Sequence, residues 1–396
     1  MAKPSGRTLS FLIFISVLLI AASALPGCGS TASTGTPTYT VTYNDNGNTG
    51  GSAPVDPAGY QQGQTVTVLG NTGNLVKTGY AFSGWNTQPD GSGTAYAAGQ
   101  TFTIGAANII LYARWSPVFA YVTNVASANV SQYTVGANGS LTAMSVPTVP
   151  AGQDPFSVTV DPSSMYVYVA NYGSNNVSQY IIGADGSLTP MSTPTIAAGT
   201  GPDSITVHPS GKYAYVVNMA GASVSQYTIG ADGSLSPMST PTAATGPAPQ
   251  YITVDPTGQY AYVANNNDNT VSQFAIGADG SLSPMSIPTV TTGTNPDFVT
   301  VDPSGKYAYV ANANDSTVSE YAIGPDGSLA SIGTILSGAA PHSVLVDPSD
   351  RYVYVANNNG NTVSQYTINA NGSLTSMGTT PAGAGPDSVI TTGTHH

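Results

Sequence analysis

Six residues that could take part in chemistry recur at a regular spacing along the last two thirds of the sequence. Each directly follows a proline, and neighbouring members are 45 or 47 residues apart. They are Phe156, Asp203, Gln250, Asp297, His342 and Asp387. Three carboxylates, an amide and an imidazole, if they meet at one place, could bind a divalent cation or a hydroxyl-rich ligand. An aspartate after a proline also caps a turn beside a strand, so a purely structural role stays open.

The catalytic chemistry that these residues offer is limited. His342, together with Asp297 or Asp387, could act as a general base toward water. We expect no lysine or arginine beside them, so the electrophilic partner of a hydrolysis would be a metal ion or backbone amides. The sequence contains no nucleophile-elbow, paired-cysteine, zinc-helix or phosphate-loop motif.

A repeat that begins at Phe119 determines where these residues lie. Its most regular part is a tetrad that starts 47, 47, 47, 47 and 45 residues apart: Tyr121–Asn124, Tyr168–Asn171, Tyr215–Asn218, Tyr262–Asn265, Tyr309–Asn312 and Tyr354–Asn357. Each period carries signals for four short strands, A to D, such as "DSITV", "YAYVAN", "VSQYTI" and "SLSPM". A period of this length with four strands is typical of a β-propeller blade. The sequence therefore predicts an all-β chain with a six-bladed propeller over residues 117–396.

The two ends of the repeat predict how the ring closes. The repeat opens on a B strand at Phe119 and finishes on an A strand, Asp387–Thr391. Pairing these strands would build one blade from both termini and leave no open sheet edge. The six residues that follow the prolines would then begin the innermost strands and face the mouth of a central channel.

The tetrads resemble the YVTN β-propeller repeat, which occurs in cell-surface proteins and in propellers related to the lactonase family. This resemblance implies a propeller fold that binds ligands at the channel mouth. Lactonase-type relatives usually have seven blades, and the six counted here depart from that number. We expect Tyr309 and its equivalents to lie in the core and not to form a ligand platform.

Residues 38–116 form a separate predicted module of short alternating runs divided by Asn-Gly and Asp-Gly turns. The segment Gly79–Asn86, "GYAFSGWN", together with Leu111–Trp115, resembles the Listeria-Bacteroides repeat, an internalin-type module with a β-grasp-like fold. We expect Tyr80, Phe82 and Trp85 to be its core, because a domain of this size has little else to bury.

The N-terminus predicts export and membrane attachment. A cationic start and the apolar run Phe11–Ala24 indicate a signal peptide over residues 1–27. Leu25–Cys28 resembles the lipobox of bacterial lipoproteins, which implies lipid attachment at Cys28, the only cysteine. Residues 28–37 would be a tether. The predicted location is the cell envelope, outside the cytoplasm, on the outer membrane or cell surface, with the lipid anchor as the sole membrane contact.

The net charge excludes one class of binding partner. The formal net charge is −12, with 19 acidic residues against 7 lysines and arginines. This balance repels phosphate backbones, so we expect no nucleic-acid partner.

Two functions remain. We favour a lipid-anchored, non-enzymatic scaffold for binding or adhesion to a protein, glycan or envelope component, with no cofactor and with Asp203, Gln250, Asp297, His342 and Asp387 as ligand-binding candidates. The alternative is a lactonase-like hydrolase that acts on a small lactone at the channel mouth. It would use His342, Asp297 and Asp387, with or without a divalent cation.

Overall fold

The computed structural model describes residues 36–136 and 140–389. Within them the regular structure is strand, apart from a 3₁₀ turn at Val125–Ser127, and the all-β prediction is confirmed. The predicted signal peptide (residues 1–27), Cys28 and most of the predicted tether lie outside the described residues.

The N-terminal module contains eight short strands. They are β1 (Thr38–Tyr39), β2 (Val41–Asn44), β3 (Tyr60–Gln61), β4 (Thr65–Thr67), β5 (Tyr80–Asn86), β6 (Ala95–Tyr96), β7 (Thr101–Thr103) and β8 (Ile109–Pro117). The main sheet has the order β2-β8-β5-β6, with β2 parallel to β8 and the other pairs antiparallel. Two-stranded pairs β1-β3 and β4-β7 complete the module.

Two of the three aromatic residues assigned to the module core are there. Trp85 is fully buried and its Nε1 donates a hydrogen bond of 2.9 Å to the Leu69 carbonyl, while Phe82 packs against it edge to face. The assignment of Tyr80 to the core is wrong, because its side chain is 43% exposed. Tyr80 begins β5 opposite the last residue of β8, where the sheet ends, and its ring faces the Lys77 ammonium.

Six antiparallel sheets follow within the described residues. The first has three strands, β9 (Phe119–Asn124), β10 (Asn129–Val135) and β11 (Leu141–Pro150). The others have four each: β12–β15 (Pro155–Val160, Tyr166–Asn171, Asn176–Ile182, Leu188–Ala197), β16–β19 (Pro202–Val207, Tyr213–Asn218, Ser223–Ile229, Leu235–Ala244), β20–β23 (Pro249–Val254, Tyr260–Asn265, Thr270–Ile276, Leu282–Thr291), β24–β27 (Pro296–Val301, Tyr307–Asn312, Thr317–Ile323, Leu329–Leu336) and β28–β31 (Pro341–Val346, Tyr352–Asn357, Thr362–Ile368, Leu374–Pro381). Successive sheets meet along their first strands, β12 to β16 to β20 to β24 to β28, which are therefore the innermost.

In four sheets the turn before the tetrad is held by an aspartate, and His208 takes its place in the third sheet. Asp302 is fully buried, and its Oδ1 accepts hydrogen bonds from the backbone N–H groups of Lys306 (2.7 Å) and Tyr307 (2.8 Å). Gly305 takes the left-handed backbone angle that the turn requires, with φ of 70°. The aspartate thus fixes the hairpin that joins the first strand to the second.

The asparagine that ends each tetrad holds the next hairpin. Asn312 is fully buried and donates through Nδ2 to Thr317 Oγ1 (3.1 Å) and Ser319 Oγ (2.9 Å). The same pattern holds in the other five sheets. The conserved spacing of the tetrad within this chain is therefore explained by local structure.

Tyrosines join each sheet to its neighbours. The Tyr309 hydroxyl donates to the Gly372 carbonyl of the following sheet at 2.8 Å, and Tyr321 donates to the Thr291 carbonyl of the preceding one at 2.7 Å. Both rings are almost completely buried. Tyr168, Tyr215 and Tyr262 are also fully buried, whereas Tyr121 and Tyr354 are half-buried, so the expectation that Tyr309 and its equivalents belong to the core is confirmed for four of the six.

The predicted ring-closing strand is described only at its beginning. Gly385 donates through its backbone N–H to Asn361 Oδ1, and Val389 donates to Ser343 Oγ at 3.1 Å. These bonds repeat those by which Gly201 and Ile205 attach the third sheet to the second. Among the described residues, Asp387–Val389 form no ladder with β9, and the sheet of β9–β11 has three strands. Residues 390 and 391 of the predicted strand lie outside the described residues.

The fifth of these sheets departs from its neighbours at one buried position. Gln273 of β22 donates through Nε2 to the Ile287 carbonyl at 2.9 Å and accepts from the Leu329 N–H at 2.7 Å. The equivalent residue in β26 is Glu320, which accepts from the Leu374 N–H at 2.9 Å and is 3% exposed. The fourth strand of this fifth sheet, β27, has 8 residues where β23 of the fourth sheet has 10, so the outer edge of the fifth sheet is shorter.

Candidate functional site

The sequence-predicted site residues share one backbone feature, a β-bulge. In each of the five four-stranded sheets the residue after the proline is skipped by the ladder between the first two strands. The skipped residues are Phe156, Asp203, Gln250, Asp297 and His342. A bulge redirects a side chain away from the sheet's regular alternation, and bulges are frequent beside active sites. Every one of these side chains therefore leaves its strand at the same end of the innermost strand.

The loops that lead into the bulges carry left-handed backbone. The residue before each of the six prolines has φ between 50° and 65°, and four of the six are not glycine: Asp154, Ala248, Asn295 and Ala340. A left-handed residue with a side chain is costly, and such strain concentrates at functional sites. At these four positions the chain holds the residues before the innermost strand in an unfavourable conformation that the surrounding contacts enforce.

His342 lies between two carboxylates. Its Nδ1 is 2.9 Å from Asp387 Oδ1, within hydrogen-bond distance, and its Nε2 is 3.6 Å from Asp297 Oδ2. The imidazole side chain is 34% exposed, so solvent and small molecules reach it. An Nδ1–H donated to Asp387 leaves Nε2 with its lone pair directed toward the side of the mouth where Asp297 stands.

Asp297 is held by side chains that the sequence analysis did not identify. Asn266 Nδ2 donates to Asp297 Oδ1 at 2.7 Å, and Asn295 Nδ2 donates in turn to Asn266 Oδ1 at 2.6 Å. Asn314 continues the chain by donating to Asn295 Oδ1. The position of Asn266 in the repeat could have identified it, because Asn266 directly follows a tetrad. In the structure, the residue at this position contacts the bulge residue of the next sheet.

Asp203 belongs to the same site, because the charges of Asp297 and Asp387 act on its carboxyl. Burial first, and then these two charges, raise the pKa of that carboxyl to about 7. The pKa of Asp297 is also raised by burial, although His342 and the hydrogen bond from Asn266 oppose the rise. The carboxylates of the third and fifth sheets and of the C-terminal segment therefore share one electrostatic field. A carboxyl that is partly protonated at neutral pH can donate a hydrogen bond.

The remaining bulge residues, Gln250 and Phe156, line the mouth with uncharged side chains. Gln250 Nε2 approaches the Met219 sulfur at 3.9 Å, and Met219 follows its tetrad as Asn266 does. Phe156 is 46% exposed, and its ring contacts Tyr172 edge to face at 5.2 Å. The mouth is thus aromatic beside the second sheet and acidic beside the third, fifth and sixth.

The cations of the described propeller lie at the opposite end of the strands. Lys212, Lys306 and Arg351 occupy the turns between first and second strands, and their carbonyls accept hydrogen bonds from the last residues of the third strands. A six-residue strand separates this end from the mouth by about 20 Å. His208 lies at that end as well, with its ring nitrogens bound to Ser210 Oγ and the Gly258 carbonyl, so it takes no part in the site.

Neither a metal-binding cluster nor a hydroxyl-lined cleft in the described residues competes with the mouth as a site. Within the described ranges, 36–136 and 140–389, no three His, Cys, Asp or Glu side chains lie close enough together to hold a metal ion. A cleft of about 500 Å³ between the third and fourth four-stranded sheets is lined mainly by serine and threonine hydroxyls, and Asp315 there accepts a hydrogen bond from the Thr294 N–H. Titratable side chains converge at the channel mouth and not at this cleft, so the mouth is the candidate active site.

Comparison with family models gives two matches. Residues 102–390 match the model described as "Lactonase, 7-bladed beta-propeller", and residues 39–114 match the Listeria-Bacteroides repeat domain. The second match covers the N-terminal module almost completely.

Solved structures show the same architecture. A "putative 6-phosphogluconolactonase" from Bacteroides fragilis NCTC 9343 aligns with a TM-score of 0.61 and 21% identity, covering 84% of this chain and 98% of that one. The periplasmic gluconolactonase of Pseudomonas aeruginosa aligns with a TM-score of 0.59 and 17% identity, covering 82% and 97%. At these identities the likeness concerns the fold.

Curated relatives are similar only locally. A "Putative membrane protein" from Evansella cellulosilytica is 40% identical over 78 residues, which is 20% of this chain and 11% of that protein. A "Putative Gly-rich membrane protein" from the same organism is 39% identical over 77 residues. The chain spans about a tenth of the length of these relatives. Within the described residues, no helix has the length and apolar character needed to cross a bilayer.

Proposed function

Because the chain belongs to the lactonase family of β-propellers, we propose that it hydrolyses a lactone at the mouth of its channel. The preference for a non-enzymatic binding or adhesion scaffold is wrong, since the lactonase model matches residues 102–390 and the related solved propellers include a gluconolactonase. The observation that carries the proposal is the placement of His342 between Asp387 and Asp297, with Asp203 facing the same mouth.

His342 acts as the general base. Asp387 accepts the Nδ1 proton and so fixes the tautomer in which Nε2 is the acceptor. The 3.6 Å from Nε2 to Asp297 Oδ2 is too long for a direct hydrogen bond, and a water bound there would contact both atoms. Asp297, itself oriented by Asn266, would hold this water in position for attack.

Asp203 supplies the electrophilic partner that the sequence analysis did not find. Its carboxyl is partly protonated at neutral pH, because its pKa is raised to about 7. A neutral carboxylic acid donates a hydrogen bond to the oxygen on which negative charge develops, as a lysine or arginine would in other sites.

The proton and bond changes balance with these two groups. Water loses a proton to His342 Nε2 while its oxygen adds to the lactone carbonyl carbon, and the oxyanion accepts a hydrogen bond from Asp203. The tetrahedral intermediate then breaks its bond to the ring oxygen, which takes the proton back from the imidazolium. The product is the open-chain hydroxy acid, and its ionisation releases a proton to solvent.

Proton release measures this reaction directly. We expect the purified protein to open D-glucono-1,5-lactone faster than buffer alone, and His342→Gln to lose at least 100-fold of that excess, within the usual contribution of a general base. His208→Gln, at the other end of the propeller, is the matched control and keeps the wild-type rate. Equal rates for His342→Gln and the wild type would refute the assignment.

The finer location of the protein is also a proposal. We infer that residues 1–27 are a signal peptide, that Cys28 carries lipid, that residues 28–37 are a tether, and that residues 38–116 form the module nearer the membrane, before the propeller of residues 117–396. The supporting features are the lipobox-like Leu25–Cys28 and the membrane-protein relatives. Membrane fractionation of the wild type and Cys28→Ala tests the anchor, since the variant would leave the membrane fraction.

A further inference from the structure

The charge distribution around the channel mouth specifies a class of substrate. Three carboxylates, Asp203, Asp297 and Asp387, lie at the mouth itself, and the loops at the same end add Asp154, Asp268 and Asp315. The lysines and arginine of the described propeller are all at the other end of the strands, about 20 Å away. This exceeds the Debye length at physiological ionic strength, about 8 Å, so those cations do little to neutralise the mouth.

A phosphorylated ligand finds no lysine or arginine at the described mouth. Phosphate is usually bound by arginine, lysine, helix N-termini or clustered backbone amides. The mouth offers carboxylates, the amides of Gln250 and Asn266, the His342 imidazole and the Met219 sulfur. A dianionic group brought among the carboxylates would be repelled and would lose hydration without compensating hydrogen bonds.

An uncharged ring bearing hydroxyl groups fits the same surroundings. Carboxylates and amide oxygens accept hydrogen bonds from hydroxyl groups, and carboxylates do so strongly. On the other side of the mouth, Phe156 is 46% exposed and lies edge to face with Tyr172, which gives an apolar surface for the C–H face of a ring. Apolar lining with a few convergent polar groups is the usual form of a small-molecule site.

We propose that the mouth accepts an uncharged, hydroxyl-bearing lactone and rejects its phosphorylated counterpart. This proposal deepens the proposed function and rests on it for the word lactone, while the discrimination itself depends only on the charges and aromatic groups described. It separates this chain from relatives whose names specify a phosphorylated sugar acid.

Binding of a ring that cannot be hydrolysed tests the discrimination apart from catalysis. The probes are 1,5-anhydro-D-glucitol and its 6-phosphate, titrated calorimetrically into the purified protein at low ionic strength. We expect the neutral probe to bind at least tenfold more tightly, and the difference to shrink as salt is added. Equal or tighter binding of the phosphate, or no binding of the neutral probe, would overturn the proposal. Binding of the neutral probe by a protein that opens no lactone would support the recognition and refute the hydrolase function.

A pair of variants locates the effect at the mouth. Gln250→Lys places a cation at the bulge of the third four-stranded sheet, and we expect it to improve binding of the 6-phosphate at least tenfold relative to the neutral probe. Gln259→Lys is the matched control, because Gln259 is an exposed residue at the other end of the same sheet, where the neighbouring sheets carry Lys212 and Lys306. A similar change in relative affinity with Gln259→Lys would show that the net charge of the protein, and not the charge at the mouth, determines the preference. That result would also overturn the proposal.

Discussion

Asn266 donates a hydrogen bond of 2.7 Å from its side-chain amide to the carboxylate of Asp297, and the two residues belong to neighbouring sheets. The bond connects the residue after one tetrad to the bulge of the next sheet, so the acid of one repeat is oriented by the repeat before it. The relationship continues from Asp297 to His342 and from His342 to Asp387. The site is therefore a series of contacts between residues of different sheets. A substitution at Asn266 should change the position and the protonation of the groups around His342.

Replacement of Asn266 by aspartate should impair the site through charge. The variant loses the donor to Asp297 and places a second carboxylate beside it, which raises the pKa of both acids further. We expect kcat/KM for lactone opening to fall about 10-fold to 100-fold, with a stronger loss at pH 8 than at pH 5, measured by proton release. Asn267→Asp, one residue along in the same loop and exposed, is the control and should retain the wild-type rate.

The pH dependence of activity should report Asp203. Because the donor is the protonated carboxyl and its pKa is about 7, kcat/KM should fall as pH rises through 7. Asp203→Asn keeps a hydrogen-bond donor that does not titrate, so its rate should stay level through that range. Asp203→Ala should be slow at every pH. A wild-type profile that stays flat from pH 6 to 8.5 would contradict the role assigned to Asp203.

Stability should respond in opposite directions to exchanges at Glu320 and Gln273. Burial raises the pKa of Glu320, so its contribution to stability is present below the unfolded-state pKa and is lost as pH rises through the folded-state value. Glu320→Gln should therefore raise Tm at pH 8 more than at pH 4. Gln273→Glu removes the donor to the Ile287 carbonyl and should lower the free energy of unfolding by about 1–3 kcal/mol.

A missing inter-sheet hydrogen bond can be restored at Phe274. In the preceding sheet, the equivalent Tyr227 donates to the Ala197 carbonyl at 2.7 Å, whereas Phe274 has no hydroxyl and lines a pocket of about 210 Å³ together with Ala244. Phe274→Tyr should bond to the Ala244 carbonyl and raise the free energy of unfolding by about 1 kcal/mol. Tyr227→Phe should lower it by a similar amount. Chemical denaturation of both variants checks the pair, and a loss of stability in Phe274→Tyr would contradict the expected bond.

The sequence predicts the fold well because the repeat makes each element appear six times. The tetrads mark the middle strand pair of every sheet, aspartates mark the preceding turn in four sheets, and the prolines mark the entry to every innermost strand. The positions of Phe156 to Asp387 therefore follow from alignment of the chain with itself. What could not be predicted depends on contacts between repeats. The hydrogen bond from Asn266 and the raised pKa of Asp203 arise only when separate sheets converge, and the exposure of Tyr80 depends on where its sheet ends.

The function is harder to predict for a related reason. The number of blades describes the fold and not the residues at the channel mouth. Without a lysine or arginine nearby, the sequence indicates only a metal ion or backbone amides as the electrophilic partner. Burial changes that conclusion, because it turns Asp203 into a donor that its residue type alone does not suggest.

The bulge at the start of each innermost strand has a consequence for how this protein can evolve. Five such positions share one backbone shape, yet they carry phenylalanine, aspartate, glutamine, aspartate and histidine. The tyrosines, asparagines and turn aspartates that hold the sheets together lie elsewhere in each repeat. Selection can therefore rewrite the mouth one position at a time, and duplicated repeats can diverge in chemistry while they stay interchangeable in architecture.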